Sequence, residues 1–288
     1  MAESARPAWV DDDLFPFKSR FVDIDGHTVH YVDEGSGPTL LLLHGNPTWS
    51  FLWRDVISAL REDFRCVALD YPGFGLSTAK PGYRYLPEEH ADVVTGFVDA
   101  LDLSGVTLVG QDWGGPIGLA AAERRPDAFD RLVLVNAWAW PVNGDPYFEA
   151  FGRIAGGPPV RFLARQFNLV VKAFLPMGHR KRKLTAAETA HYRRAMDTPE
   201  RRQASGVLPR RLLASRAFFA EVEANLPDLP TLIVWGNAQI GFRPRERERL
   251  EASFPNHQTV ALDGVGLYVE SDAPDEFVAA IRDWSATR

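Results

Sequence analysis

Short apolar runs at residues 39–43, 66–69, 106–109, 132–135, 232–235 and 259–262 punctuate stretches of helical pattern. Continuous Val/Ile/Leu runs of this length, alternating with helices, predict a mostly parallel sheet covered on both faces, and so an α/β fold. Ahead of them, residues 20–35 alternate around the turn pair Asp25-Gly26. That pattern predicts a β-hairpin with Phe21, Val22, Ile24, Val29 and Tyr31 as strand residues. The strand–helix rhythm breaks between about residues 141 and 226, where only helical patterns occur, including a capping-box signature at Thr185-Ala186-Ala187-Glu188. The chain therefore divides into a core formed by residues 1–140 and 227–288 and a helical cap, 141–226, inserted in the sheet.

With 288 residues and 45% hydrophobic content the chain can bury a large core, and its length suits one α/β body with an insertion. A net charge of −6 gives no global electrostatic reason to bind nucleic acid or an anionic membrane, so a small-molecule ligand is expected instead. Within the cap, residues 161–216 carry fourteen Lys/Arg against Glu188, Asp197 and Glu200. Either an anionic substrate or partner meets them, or they are solvated helix faces, the plainer reading. The single cysteine, Cys66, lies in an apolar run and reads as a buried core thiol unable to form an intrachain disulfide. No run of ~18 apolar residues occurs, and the acidic N-terminus has no apolar signal region, so a cytoplasmic protein without a membrane span is expected.

Leu108-Val109-Gly110-Gln111-Asp112-Trp113-Gly114-Gly115 has the strand, Gly-flanked turn and helix layout of a nucleophile elbow, with Asp where G-x-S-x-G carries Ser. Its place after the third parallel strand and before a small-residue helix sets it apart from an ordinary Gly-Asp turn. A carboxylate is a poor nucleophile for esters or amides, because attack on the carbonyl yields an anhydride. On saturated carbon it displaces a leaving group and forms a covalent alkyl ester, which restricts the chemistry to halides, epoxides or similar electrophiles. A second element, His44-Gly45-Asn46-Pro47-Thr48-Trp49, follows the strand at 39–43, where this fold supplies the loop that completes an anion-stabilising site.

Together with Asp70-Tyr71-Pro72-Gly73-Phe74-Gly75, these segments resemble the haloalkane dehalogenases of the α/β-hydrolase fold, and the likeness runs over essentially the whole chain. The resemblance implies Asp112 as nucleophile, the Trp113 indole and Asn46 amide as donors to the departing halide, a small hydrophobic halogenated substrate, and no cofactor or metal. Core packing for Trp113 and a turn role for Asn46 are the alternatives. Epoxide hydrolases share the Asp elbow and open their ring with cap tyrosines, for which Tyr147 and Tyr192 are candidates.

The family pattern then fails at two places. Its members carry a His in G-x-G-H-[FY] after the last strand, to activate water, and an acid to orient that His. Here Gly264-Val265-Gly266-Leu267-Tyr268 puts Leu267 at the His position, and Trp235-Gly236-Asn237-Ala238-Gln239 puts Gln239 at the acid position. Where some members draw the acid from the strand before the cap, this chain has Asn136. None of His27, His30, His44, His90, His179, His191 and His257 is placed by sequence to take over. His44 belongs to the loop motif, His257 precedes the last strand, and His179 and His191 fall in a polar cap.

Three functions are compatible with this pattern. Asp112 attacks a haloalkane and the alkyl ester persists; or the apolar pocket binds a small hydrophobic ligand without reacting; or Asp112 serves a non-hydrolytic isomerisation or cyclisation.

Overall fold

A computed structural model describes residues 6–287. Residues 1–5, which open the segment searched for a signal region, lie outside the described residues. Eight strands form one sheet: β1 (Arg20–Ile24), β2 (His27–Glu34), β3 (Thr39–Leu43), β4 (Arg65–Leu69), β5 (Val106–Gln111), β6 (Phe129–Val135), β7 (Thr231–Gly236) and β8 (His257–Leu262). Their order is β1-β2-β4-β3-β5-β6-β7-β8. β1 pairs antiparallel with β2 and β2 antiparallel with β4, while all other pairs are parallel. The hairpin turns through Asp25 and Gly26, both at positive φ (50° and 81°), the backbone that a tight two-residue connection demands.

Each apolar run of the sequence lies inside a strand. Leu40–Leu43 and every residue of β5 and β7 are buried, because helices cover both faces of the central strands. β8 closes the sheet and is only partly buried, so its polar residues leave its start unmarked by hydrophobicity. As a result His257, expected to precede the last strand, is the first residue of β8.

α1 (Arg54–Leu60), α2 (Pro87–Ala100) and α3 (Gly114–Arg124) connect the early parallel strands, with a 3-10 turn at Ser50–Trp53 before α1. Between β6 and β7 come only helices: α4 (Pro146–Ala155), α5 (Pro158–Phe167), a π-helical turn (Val170–Phe174), α6 (Leu175–Met177), α7 (Ala186–Ala195), α8 (Gln203–Ala214) and α9 (Arg216–Ala224). The chain returns through α10 (Pro244–Ser253), α11 (Val269–Asp272) and α12 (Pro274–Ala286). The capping box forms as its sequence predicts: the Thr185 hydroxyl accepts from Glu188 N at 3.1 Å, and the Glu188 carboxylate accepts from Thr185 N at 2.7 Å. The same Glu188 pairs with Arg54 of α1 and with Arg182, so buried charge ties the helical insertion to the sheet domain. No helix among the described residues is long and apolar enough to cross a membrane.

Candidate active site

Asp112 stands between the end of β5 and the start of α3 at φ 50°, with its N–H donating to the Val135 carbonyl across 3.1 Å. This sharp turn works because its neighbours lack side chains. A Cβ on Gly114 would lie 2.2 Å from the Leu43 carbonyl oxygen, and one on Gly45 would lie 2.5 Å from the Asp112 Cβ. One Asp112 carboxylate oxygen accepts from the Asn46 backbone N–H at 3.1 Å. Burial pushes the carboxyl up to about 7, against the lowering effect of the Asn46 and Trp113 backbone N–H groups.

The carboxylate opens onto a cavity of about 320 Å³. Its floor comes from loops at the C-terminal ends of the strands, with Asn46 after β3, Asp112 and Trp113 after β5, Trp138 after β6, and Leu267 after β8. The helical insertion supplies the opposite wall, including Phe148, Val160, Phe174 and Leu212. Among the 21 lining residues Asp112 is the sole acid, and no His is present. Trp113 packs edge-on against Trp138, with ring centroids 5.1 Å apart. The Asn46 side-chain amide donates to the Ser205 carbonyl at 3.3 Å, and its two N–H groups leave one for another acceptor.

Leu267 lines the cavity and makes three backbone hydrogen bonds. Its N–H donates to Gly178 O at 2.7 Å, and its carbonyl accepts from the Asn136 amide at 2.8 Å and the Gln111 amide at 3.4 Å. Gln239 lies behind the wall, where its Oε1 accepts from the N–H groups of Gly241 and Phe242 at 3.1 and 2.9 Å. Its amide donates to Asn136 Oδ1 at 3.4 Å. Asn136 thus joins the two positions: Gln239 and Leu267 are brought together, but as parts of an amide lattice that holds the loop after β8.

The histidines are engaged elsewhere. His44 Nδ1 faces the Gly45 carbonyl at 2.8 Å while its Nε2 accepts from Tyr71 N at 3.3 Å, so both ring nitrogens are used and the ring is neutral. Burial holds its pKa down to about 4. His179 and His191 are not on the exposed polar faces that the insertion's composition suggests. Both are buried, His179 stacked on Tyr268 and His191 on Phe51, because the insertion turns these faces onto the sheet domain. Tyr147 and Tyr192, the ring-opening candidates, are outside the cavity lining. The Tyr147 hydroxyl donates to Ile240 O at 2.6 Å, and Tyr192 is buried against Phe51.

Residues 38–269 match the alpha/beta hydrolase fold family. Haloalkane dehalogenase 2 of Mycobacterium tuberculosis is 44% identical over 276 residues, covering 94% of this chain and 96% of the relative. The chain belongs to the haloalkane dehalogenase family. The haloalkane dehalogenase DatA from Agrobacterium tumefaciens C58 superposes with a TM-score of 0.84 at 26% identity, over 94% of this chain and 96% of that one. A further relative, the cis-3-alkyl-4-alkyloxetan-2-one decarboxylase of Shewanella oneidensis, is 30% identical across 94% of this chain and 89% of its own length.

Two side chains, one in the cavity and one behind it, are not singled out by the sequence. Tyr268 lines the cavity and its hydroxyl donates to Asn46 O at 3.3 Å. Its place beside Leu267 in the Gly264–Tyr268 motif was the available signal. Glu270 is fully buried on α11 with neither carboxylate oxygen hydrogen-bonded, and burial, with the charges of Asp112 and Asp272 adding, pushes it well above the usual carboxylate range. Nothing in its flanking residues marks it. Among the described residues no group of three or more His, Cys, Asp or Glu could hold a metal ion.

Proposed function

We propose that Asp112 displaces halide from a small apolar haloalkane to form an alkyl ester, and that the ester then persists for want of a base. The observation that carries this reading is the cavity lining, in which Asp112 stands without any His or second carboxylate. The desolvated carboxylate attacks saturated carbon, the carbon–halogen bond breaks, and the halide leaves toward the Asn46 amide and Trp113 indole, neutral donors suited to an anion developing in a dry pocket. Residues 141–226 act as the cap that keeps the cavity apolar. At Leu267 an alkyl side chain takes no proton from water, and Gln239 has no imidazole to orient. Glu270, whose burial favours its neutral form, lies outside the cavity lining and does not face the ester. The deciding experiment is intact-mass measurement after treatment with 1-bromobutane. A stable increase of one butyl group, absent in Asp112→Asn, is the expected result. Sustained halide release far beyond one equivalent would overturn the stalled-ester reading. Reversible binding without an adduct would make the protein a ligand carrier.

The oxetanone-decarboxylating relative favours a second reading, because that chemistry needs no activated water. On a β-lactone, Asp112 would attack the ring carbon bearing the ester oxygen, and the C–O bond would break to leave a carboxylate. Loss of CO₂ then sends its bonding electrons into a C=C bond as the Asp112–carbon bond breaks, restoring the nucleophile. Repeated alkene release from a cis-3,4-dialkyl β-lactone, with no stable adduct, selects this reading over the first.

A further inference from the structure

α5 lines the cavity with Val160 and Ala164 but leaves its largest apolar side chains exposed. Of its ten residues only Ala164 is buried, while Phe162, Leu163 and Phe167 are 59%, 41% and 56% exposed. The rings of Phe162 and Phe167 meet edge-on with centroids 6.4 Å apart, so they form one patch. Ile154, at the end of α4 just before, is 68% exposed. Large apolar side chains scattered singly over a surface are ordinary, but a cluster on one helix marks an interaction face.

Three cations beside this patch have no acidic partner among the described residues, although Arg165 of α5 pairs with Glu200. Phe167 borders a surface groove that also carries Lys172, Arg193 and Arg194. None of these three makes an ion pair among the described residues. Of 32 Lys/Arg and 38 acids in the chain, fourteen and three fall within residues 161–216, so the rest of the molecule is strongly acidic. The net charge of −6 hides this segregation, which is why the whole-chain sum argued against an anionic membrane. The patch also adjoins the cavity, since α5 contributes Arg161 and Ala164 to the lining and α4 contributes Phe151.

We propose that the outer face of α5 and the Lys172/Arg193/Arg194 groove dock the protein on an anionic phospholipid surface, with the cavity mouth turned toward the bilayer. Phe162, Leu163 and Phe167 enter the headgroup–acyl boundary, the cations meet lipid phosphates, and the acidic body faces away. A lipophilic substrate would then reach the cavity from the membrane. This inference is independent of what Asp112 does with that substrate.

The test is co-sedimentation of the full chain with vesicles of phosphatidylcholine alone or mixed with phosphatidylglycerol, in low and high salt. Binding to the mixed vesicles, weakened by salt and absent with phosphatidylcholine alone, is expected. Lys172→Glu/Arg193→Glu/Arg194→Glu should weaken it by roughly 100-fold at low salt, at about fivefold per basic residue. Phe162→Ser/Phe167→Ser should weaken it by at least tenfold. None of these five residues lines the cavity, so unchanged circular dichroism and unchanged reaction with 1-bromobutane or with the β-lactone verify each variant. No sedimentation with anionic vesicles overturns the proposal. Full binding by the Phe variant also overturns it, because charge alone would then suffice. Self-association in light scattering that these variants abolish, without vesicle binding, reassigns the face to a contact between copies of this chain.

Discussion

The side-chain amide of Asn136 donates to the carbonyls of Gly266 and Leu267 at 3.0 and 2.8 Å, while its Oδ1 accepts from Gly236 N at 3.0 Å. One side chain thereby fixes the loop that carries position 267. A carboxylate at 136 could not donate to those carbonyls, so an acid to support a base at 267 has to come from position 239.

The repair prediction follows from that lattice. Leu267→His with Gln239→Asp should create multiple-turnover halide release, each single change should achieve far less, and Leu267→His with Asn136→Asp should fail. A His alone has no set tautomer, and an Asp alone has no ring to steer, so the effects are strongly non-additive. Halide release over many equivalents, on proteins shown to be folded, measures it. An adduct that the Gln239→Asp double variant forms but cannot clear would refute the placement of the two positions.

The pH dependence follows from burial of Asp112. Attack needs the ionised carboxylate, so the rate of adduct formation should rise with pH and reach half its plateau near 7. The folded pKa lies above the unfolded value, so the stability the protein has with Asp112 protonated is full below the unfolded pKa, near 4, and is lost as pH rises through about 7. Asp112→Asn should therefore raise Tm at pH 8, by roughly 2–4 °C per kcal/mol of that cost, and not at pH 4. Calorimetry at the two pH values decides it.

Trp113→Phe and Asn46→Ala should slow adduct formation by about 10²–10³ while weakening substrate binding much less, since their donors serve charge that appears as the halide leaves. Single-turnover kinetics separates the two effects. Equal losses in both would reduce these residues to packing.

Glu188→Ala should cost about 3 kcal/mol in denaturant unfolding, the low end for a broken buried ion pair, because Arg54 loses its buried partner and keeps only the half-exposed Asp55. Thr185→Ala, which removes only the helix cap, should cost about 1 kcal/mol.

The sequence by itself determined the α/β class, the strand positions, the elbow and its Asp, because strand periodicity, capping and glycine-bounded turns are local consequences of side-chain size and backbone freedom. It also placed Asn46, Asp112, Trp113 and Leu267 well enough that all four line one cavity. What it could not determine was set by contacts between residues far apart in the chain. His179 and His191 are buried because the insertion folds back on the sheet domain, and Tyr268 reaches Asn46 across 222 positions. Asn136 and Gln239 are hydrogen-bonded amides of a loop lattice, a role that no spacing reveals. The same holds for the helical insertion: its sequence shows fourteen cations in one stretch, but only tertiary packing decides that α5 turns Phe162 and Phe167 to the outside beside them. α5 packs against the protein through Ala164 and half-buried Val160, and that contact leaves its larger apolar side chains exposed.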